Sequence, residues 1–232
     1  LQNEKQSKLN NFKFYFVKSL EFYNLKNDIF AKLTFIINLL CIFSAFMIPG
    51  GLLVWQVYGS YYVLFCILSL SSTLYLNVLI KELRGKSYDW VTYLRRIKKK
   101  AVTVVFASTI YFGVSLVGIF AFLIPGIYFM SVYFLSNCYV IDLGESISDS
   151  NEASKRLTKP FRDILFKYFL LFFLIVGVVG YMFLTMMATS GSELIVVFTI
   201  SFLGAAAMLM YQRFVAYIYL DIEYRKNEIR RM

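Results

Sequence analysis

Histidine is absent from this 232-residue chain, and proline and cysteine occur only three times each. Without histidine there is no Ser-His nucleophile, no imidazole metal ligand and no imidazole proton relay. Cys41, Cys66 and Cys138 each sit inside an apolar run and lack metal-ligand spacing, so they read as inert thiols rather than a redox pair. Charge is missing as well. Residues 33–80, 101–141 and 168–212 contain no Lys or Arg, and Glu193 is their only acidic residue. An ionisable group deep in a membrane helix marks a functional pathway by default. With none at a helix centre, a proton-coupled pump, a charged-substrate relay and an intramembrane enzyme are all disfavoured. Residues 1–30 are polar and Lys-bearing and do not read as a secretory signal.

What the chain does have is apolar length. Hydrophobic residues make up 59% and aromatics 19%, and the mean hydropathy is +0.64. A soluble domain is about 45–50% apolar, so a soluble helical bundle is the weaker reading. Each charge-free run is about twice the ~20 residues that cross a bilayer once. The 24 Lys and Arg residues fall in 1–32, 81–100, 155–167 and 213–231. Cytoplasmic loops carry the basic excess. The expected fold is all-α: six transmembrane helices as three hairpins in the cytoplasmic (inner) membrane, both termini cytoplasmic. The formal charge of +10 is then a topology signal that also favours anionic lipid headgroups on the cytoplasmic side, not nucleic acid.

The expected segments form one membrane domain: a cytoplasmic amphipathic N-terminus 1–32, hairpin 33–80, basic loop 81–100, hairpin 101–141, loop 142–163, hairpin 164–220 and tail 221–232. Amphipathic helices are expected at 11–30, 87–98 and 149–159, lying in the inner interface and introducing each hairpin. Asp149 with Glu152 reads as a capping box opening the third. Pro49-Gly50 and Pro125-Gly126 read as outer hairpin turns. This leaves the fourth span, 127–141, only about 22 Å long. The stretches Ala45–Gly50 and Ala121–Gly126 match at five of six positions. That similarity suggests one repeated unit, although Pro-Gly turns also match by chance. Arg213 is placed to reach the inner headgroups.

Polar residues at depth are the candidate cavity-lining groups: Gln56, Asn77, Ser136 and Asn137. Each has the alternative of a plain interhelical hydrogen bond. Gly113, Gly118, Gly177, Gly180 and Gly204 read as close-packing positions. Arg84, Lys86, Arg95, Arg96, Lys98, Lys99 and Lys100 are candidate lipid or partner contacts.

Ile124-Pro125-Gly126-Ile127, the aromatics Tyr128, Tyr133 and Tyr139, Asp142, and Asn151-Glu152-Ala153-Ser154-Lys155 with Leu157 form a pattern that resembles a bacterial multi-pass superfamily. That superfamily includes the membrane domain of glycerophosphoryl diester phosphodiesterases and uncharacterised relatives. Arg84-Gly85-Lys86 also fits it. The resemblance implies a six-helix membrane fold and no catalytic residue. No cofactor is expected.

Three functions remain open. A non-enzymatic membrane protein would bind or move a lipid or apolar small molecule, alone or with partners. A permease subunit of an ATP-driven exporter would use 87–98 as a coupling helix for a cytoplasmic ATPase on another chain. An assembly factor would dock a membrane protein partner through loop 81–100 and the tail.

Overall fold

The computed structural model describes residues 9–21, 28–49, 53–86, 98, 101–111, 113, 123–188 and 192–229. The elements among them are all helical: α1 Phe12–Leu20, α2 Asp28–Phe46, α3 Val54–Leu83, α4 Ala101–Tyr111, α5 Leu123–Asp142, α6 Ile147–Thr158, α7 Arg162–Ala188 and α8 Glu193–Ile229. A 3-10 turn, Lys159–Phe161, carries Pro160 between α6 and α7. The long helices α2, α3, α5, α7 and α8 have the length and apolar composition to cross a membrane. The protein is thus all-helical and compatible with a multi-pass membrane protein.

α8 is the central post. At 37 residues it is about 55 Å long, and it packs against α1, α2, α3, α5 and α7. Burial is concentrated toward one end of the bundle. α3 is buried almost continuously from Ser69 to Ile80, and α8 carries most of its buried residues between Ala205 and Ile222. Phe214 of α8 is fully buried beneath Phe172 (centroids 4.8 Å apart) and Phe169 (5.7 Å) of α7, and Phe12 (6.0 Å) of α1. Burying each such ring contributes about 1.5–3 kcal/mol when it leaves water. The other end is apolar on its outside: Trp55, Tyr58, Val63, Tyr181, Met186 and Leu194 are all exposed. A surface of that kind suits acyl chains.

Several sequence expectations shift. Pro125 and Gly126 are not a turn; they are helical, among the first described residues of α5 Leu123–Asp142. α5 consequently has 20 residues and is about 30 Å long, longer than the ~22 Å expected for 127–141. Pro49 lies beyond the end of α2 and is exposed, as a hairpin tip requires, whereas Gly50 lies outside the described residues. The same sequence pattern therefore has different backbone at 47–49 and 123–125, which weighs against an inherited hairpin repeat.

α6 opens at Ser146, three residues before the expected capping box. Ser146 Oγ accepts from Asp149 N at 3.2 Å and donates to Asp149 Oδ2 at 2.6 Å. A cap of this kind contributes about 1 kcal/mol. Nor does α6 stand off in the interface. Its small residues Ser150, Ser154 and Thr158 recur every four positions and are fully buried, and two of them hold α5. Ser154 Oγ donates to the Val132 carbonyl at 2.7 Å, and Thr158 Oγ1 to the same oxygen at 3.3 Å. Val132 lies ten positions before Asp142, about 15 Å along α5. The outer face of α6 exposes Glu152, Lys155 and Arg156. Charged groups facing hydrocarbon are costly, so this outer face of α6 suits water better than acyl chains. The expected interfacial helix at 87–98 falls outside the described residues except for Lys98, which is exposed.

α1 also differs from a helix merely floating in the interface. Tyr15 and Ser19 are fully buried against the bundle, while Phe14, Val17 and Leu20 remain exposed.

Candidate functional site

Two helix ends and the last third of α8 meet at one ion-pair cluster. Arg84 follows the last residue of α3, Asp142 ends α5, and Tyr219 and Glu223 lie in the last third of α8. Arg84 grips Asp142 with both nitrogens, Nη1 to Oδ1 at 2.9 Å and Nη2 to Oδ2 at 2.7 Å. Its Nη2 also donates to Glu223 Oε2. Tyr219 donates to Asp142 Oδ2 at 2.8 Å, and its ring lies 5.8 Å from the guanidinium carbon. Burial pulls the Arg84 pKa down, but the hydrogen bonds to Asp142 and Glu223 outweigh it and hold the pKa above its ordinary value. Arg84, a candidate lipid contact, is thus engaged by protein carboxylates. Lys86 is exposed.

Arg213 does not extend to headgroups either. It is fully buried and donates to the Lys18 carbonyl (3.1 Å from Nη2, 3.3 Å from Nε), the Glu21 carbonyl (2.6 Å) and Tyr75 Oη (3.3 Å). These carbonyls belong to the C-terminal turn of α1 and the residue after it, where unsatisfied oxygens favour a cation. At the start of α1, Asp221 accepts from Tyr15 Oη and from Asn10 Nδ2 (3.2 Å). α1 is therefore held at both ends by α8.

The candidate cavity residues separate. Gln56 turns back on its own helix, where its Oε1 accepts from Leu53 N at 3.1 Å. Asn77 donates to the Ile141 carbonyl at 3.2 Å and so ties α3 to α5. Ser136 and Asn137 do come together, with Tyr133, on the wall of a cavity of about 280 Å³ between α4, α5 and α6. Tyr111, Phe129 and Asn151 complete its polar and aromatic lining. Ser136 is 5% exposed, and its hydroxyl has no hydrogen-bond partner among the described residues. Asn151 stood in the sequence only as part of the resembling pattern, not as a cavity candidate; the fold-back of α6 along α5 brings it to this wall.

A larger groove of about 420 Å³ runs between α7 and α8. Ile175, Val179, Leu184, Ile200, Leu203 and Met210 line it, and α1 contributes Phe16 and Leu20. Small residues make the space. Among the described residues, a Cβ built on Gly180, or on Gly177 outside this groove, would meet nothing within 4 Å, so these glycines border open volume instead of permitting close helix contact. Among the described residues a Cβ built on Gly113 also meets nothing within 4 Å, whereas one built on Gly204 meets Ile42 Cδ1 at 3.0 Å. Gly118 lies outside the described residues, as do Arg95, Arg96, Lys99 and Lys100. The proposed coupling helix and most of the proposed docking loop lie in that same part of the chain. Comparison with protein-family models, curated proteins and solved structures finds no match for this chain.

Proposed function

We propose that this chain is a non-enzymatic, six-span protein of the cytoplasmic membrane, with both termini inside, that binds or moves an amphiphile whose acyl chain occupies the groove between α7 and α8. The observation that carries this reading is the groove itself. Its walls are almost wholly apolar, it borders the end whose side chains are exposed, and the Gly180 position leaves its floor open. From Ile200 to Met210 it extends about 15 Å, which suits an extended hydrocarbon chain. α1 closes one end through Phe16 and Leu20 and carries the exposed Lys13, a charge of the sign that anionic headgroups favour.

The same anchors support this topology. Counting from Glu193, α8 has crossed about 30 Å on reaching Arg213, the level at which α1 is fastened. Beyond it lie the Arg84 cluster and charged α6, both on the cytoplasmic side in this reading. α4 begins the sixth span.

Native mass spectrometry on protein extracted in mild detergent tests the proposal. Wild type is expected to retain a lipid-mass adduct, and Gly180→Leu, which fills the groove, is expected to lose it while still inserting. Protein that carries no adduct and takes up no fluorescent phospholipid from vesicles would overturn the reading.

A further inference from the structure

The cavity between α4, α5 and α6 is separate from the groove on α7 and α8, and its chemistry differs. We infer that it is a binding site for a small, uncharged molecule that pairs a hydrogen-bonding amide or hydroxyl with a flat apolar body.

Three observations support this. First, the wall offers hydrogen-bonding groups without charge: the carboxamides of Asn137 and Asn151 and the hydroxyl of Ser136, with no Asp, Glu, Lys or Arg among the described lining residues. An ionised ligand would find no counter-ion here, and a buried charge without a partner is strongly disfavoured. Second, Ser136 is 95% buried and its hydroxyl is unpartnered among the described residues. Buried hydroxyls are ordinarily hydrogen-bonded, so an orphan on a cavity wall marks a place for a ligand or water atom. Third, Phe129 and Tyr133 lie side by side on the same wall, tilted by 33° with their centroids 4.5 Å apart, giving a flat ring an aromatic surface to lie against.

The volume, about 280 Å³, equals roughly nine waters at ~30 Å³ each, so the ligand is of fragment size. It arrives from water rather than from the bilayer, because Asn151 is followed on α6 by exposed Glu152 and Lys155. A carboxamide can donate and accept at once, which makes Asn137 and Asn151 suited to an amide partner.

Benzamide is a suitable probe: it carries a neutral amide on a ring and is about the right size. Ligand-observed NMR on the full chain in nanodiscs is expected to show saturable benzamide binding. Benzoate, of the same shape but charged, and toluene, without the amide, are expected to bind at least about tenfold more weakly. Asn137→Leu should weaken benzamide to a similar degree. Ser136→Ala is the decisive variant, because it removes one small hydroxyl and should fold. It is expected to raise the Tm of the ligand-free protein while weakening benzamide severalfold. Gly180→Leu should leave benzamide binding unchanged, which keeps this test independent of the lipid groove. Non-saturable benzamide, equal binding of benzoate, or Ser136→Ala with undiminished affinity would each overturn the inference.

Discussion

Arg213 and Glu21 are joined across 192 positions of sequence by a 2.6 Å hydrogen bond from a guanidinium to a backbone carbonyl. That bond, with the two to Lys18, makes Arg213 a C-terminal cap supplied to α1 by another helix. Arg213→Lys keeps the charge but replaces a planar fork with a point donor that cannot reach both carbonyls and Tyr75 Oη together. α1 is expected to loosen, at a cost of about 2–4 kcal/mol, since hydrogen bonds to charged groups contribute ~1.5–3 kcal/mol each. Limited trypsin digestion at Lys13 and Lys18, compared with wild type, measures it. Unaltered cleavage would show that α1 is held elsewhere.

The other end of α1 should respond to pH. Burial raises the Tyr15 pKa well above its ordinary value near 10, and the hydrogen bond and charge of Asp221 add to the shift. A raised folded-state pKa means that the neutral phenol is favoured when α1 is docked. Its contribution is complete below about pH 10 and is lost as pH rises toward the folded pKa. Docking of α1 should therefore weaken on titration from pH 9 to 11, and Tyr15→Phe should flatten that dependence. An alkaline loss of equal size in Tyr15→Phe would assign it to the lysines instead.

These two anchors mark the boundary of what the sequence displays. The charge-free runs announced the long helices, because a 3.6-residue helix is the economical way to satisfy backbone groups in hydrocarbon. Arg213 was visible as a lone cation after an apolar run, but its acceptors are carbonyls of a distant helix, and no local pattern encodes them. Pro125-Gly126 suits a turn and the first turn of a helix equally well by its residues. Ser136 and Asn137 could be singled out as polar groups in apolar surroundings. Asn151 could not, since it sits on a helix whose composition is simply polar.

The Arg84 cluster ties α3, α5 and α8 together, so its members should not contribute independently. Arg84→Met leaves Asp142 and Glu223 facing each other partly buried, and breaking such a pair from one side costs about 3–5 kcal/mol. Adding Glu223→Gln to Arg84→Met should recover part of that loss by removing one of the two carboxylates. Thermal unfolding in detergent of the single and double variants gives the coupling. A double variant no more stable than Arg84→Met would mean that the repulsion is not felt.

Glycine substitutions discriminate between open and packed positions. Gly177→Ala and Gly180→Ala add a methyl where nothing among the described residues lies within 4 Å and relieve backbone entropy, so each is expected to raise stability by up to about 0.5–1 kcal/mol. Gly204→Ala presses on Ile42 Cδ1 at 3.0 Å and should gain less or lose slightly. Tm values that rank Gly204→Ala above the other two would contradict the packing described.

The fold-back of α6 makes a directional expectation about water. Glu152 and Lys155 stand on its exposed face, whereas Ser154 between them is buried on the Val132 carbonyl. In a background where Cys41, Cys66 and Cys138 are replaced by Ala, Glu152→Cys and Lys155→Cys should react quickly with a membrane-impermeant maleimide. They should do so in inside-out vesicles and not in intact cells. Ser154→Cys should react slowly from either side, because its thiol is packed and the helix cannot turn without releasing Val132. If Ser154→Cys labels as fast as its neighbours, α6 is free of α5 and the wall that Asn151 lends to the cavity is not held in place. If all three label only from outside, charged α6 lies on the opposite face of the membrane, and the Arg84 cluster, which sits at the same end of α5, moves there with it.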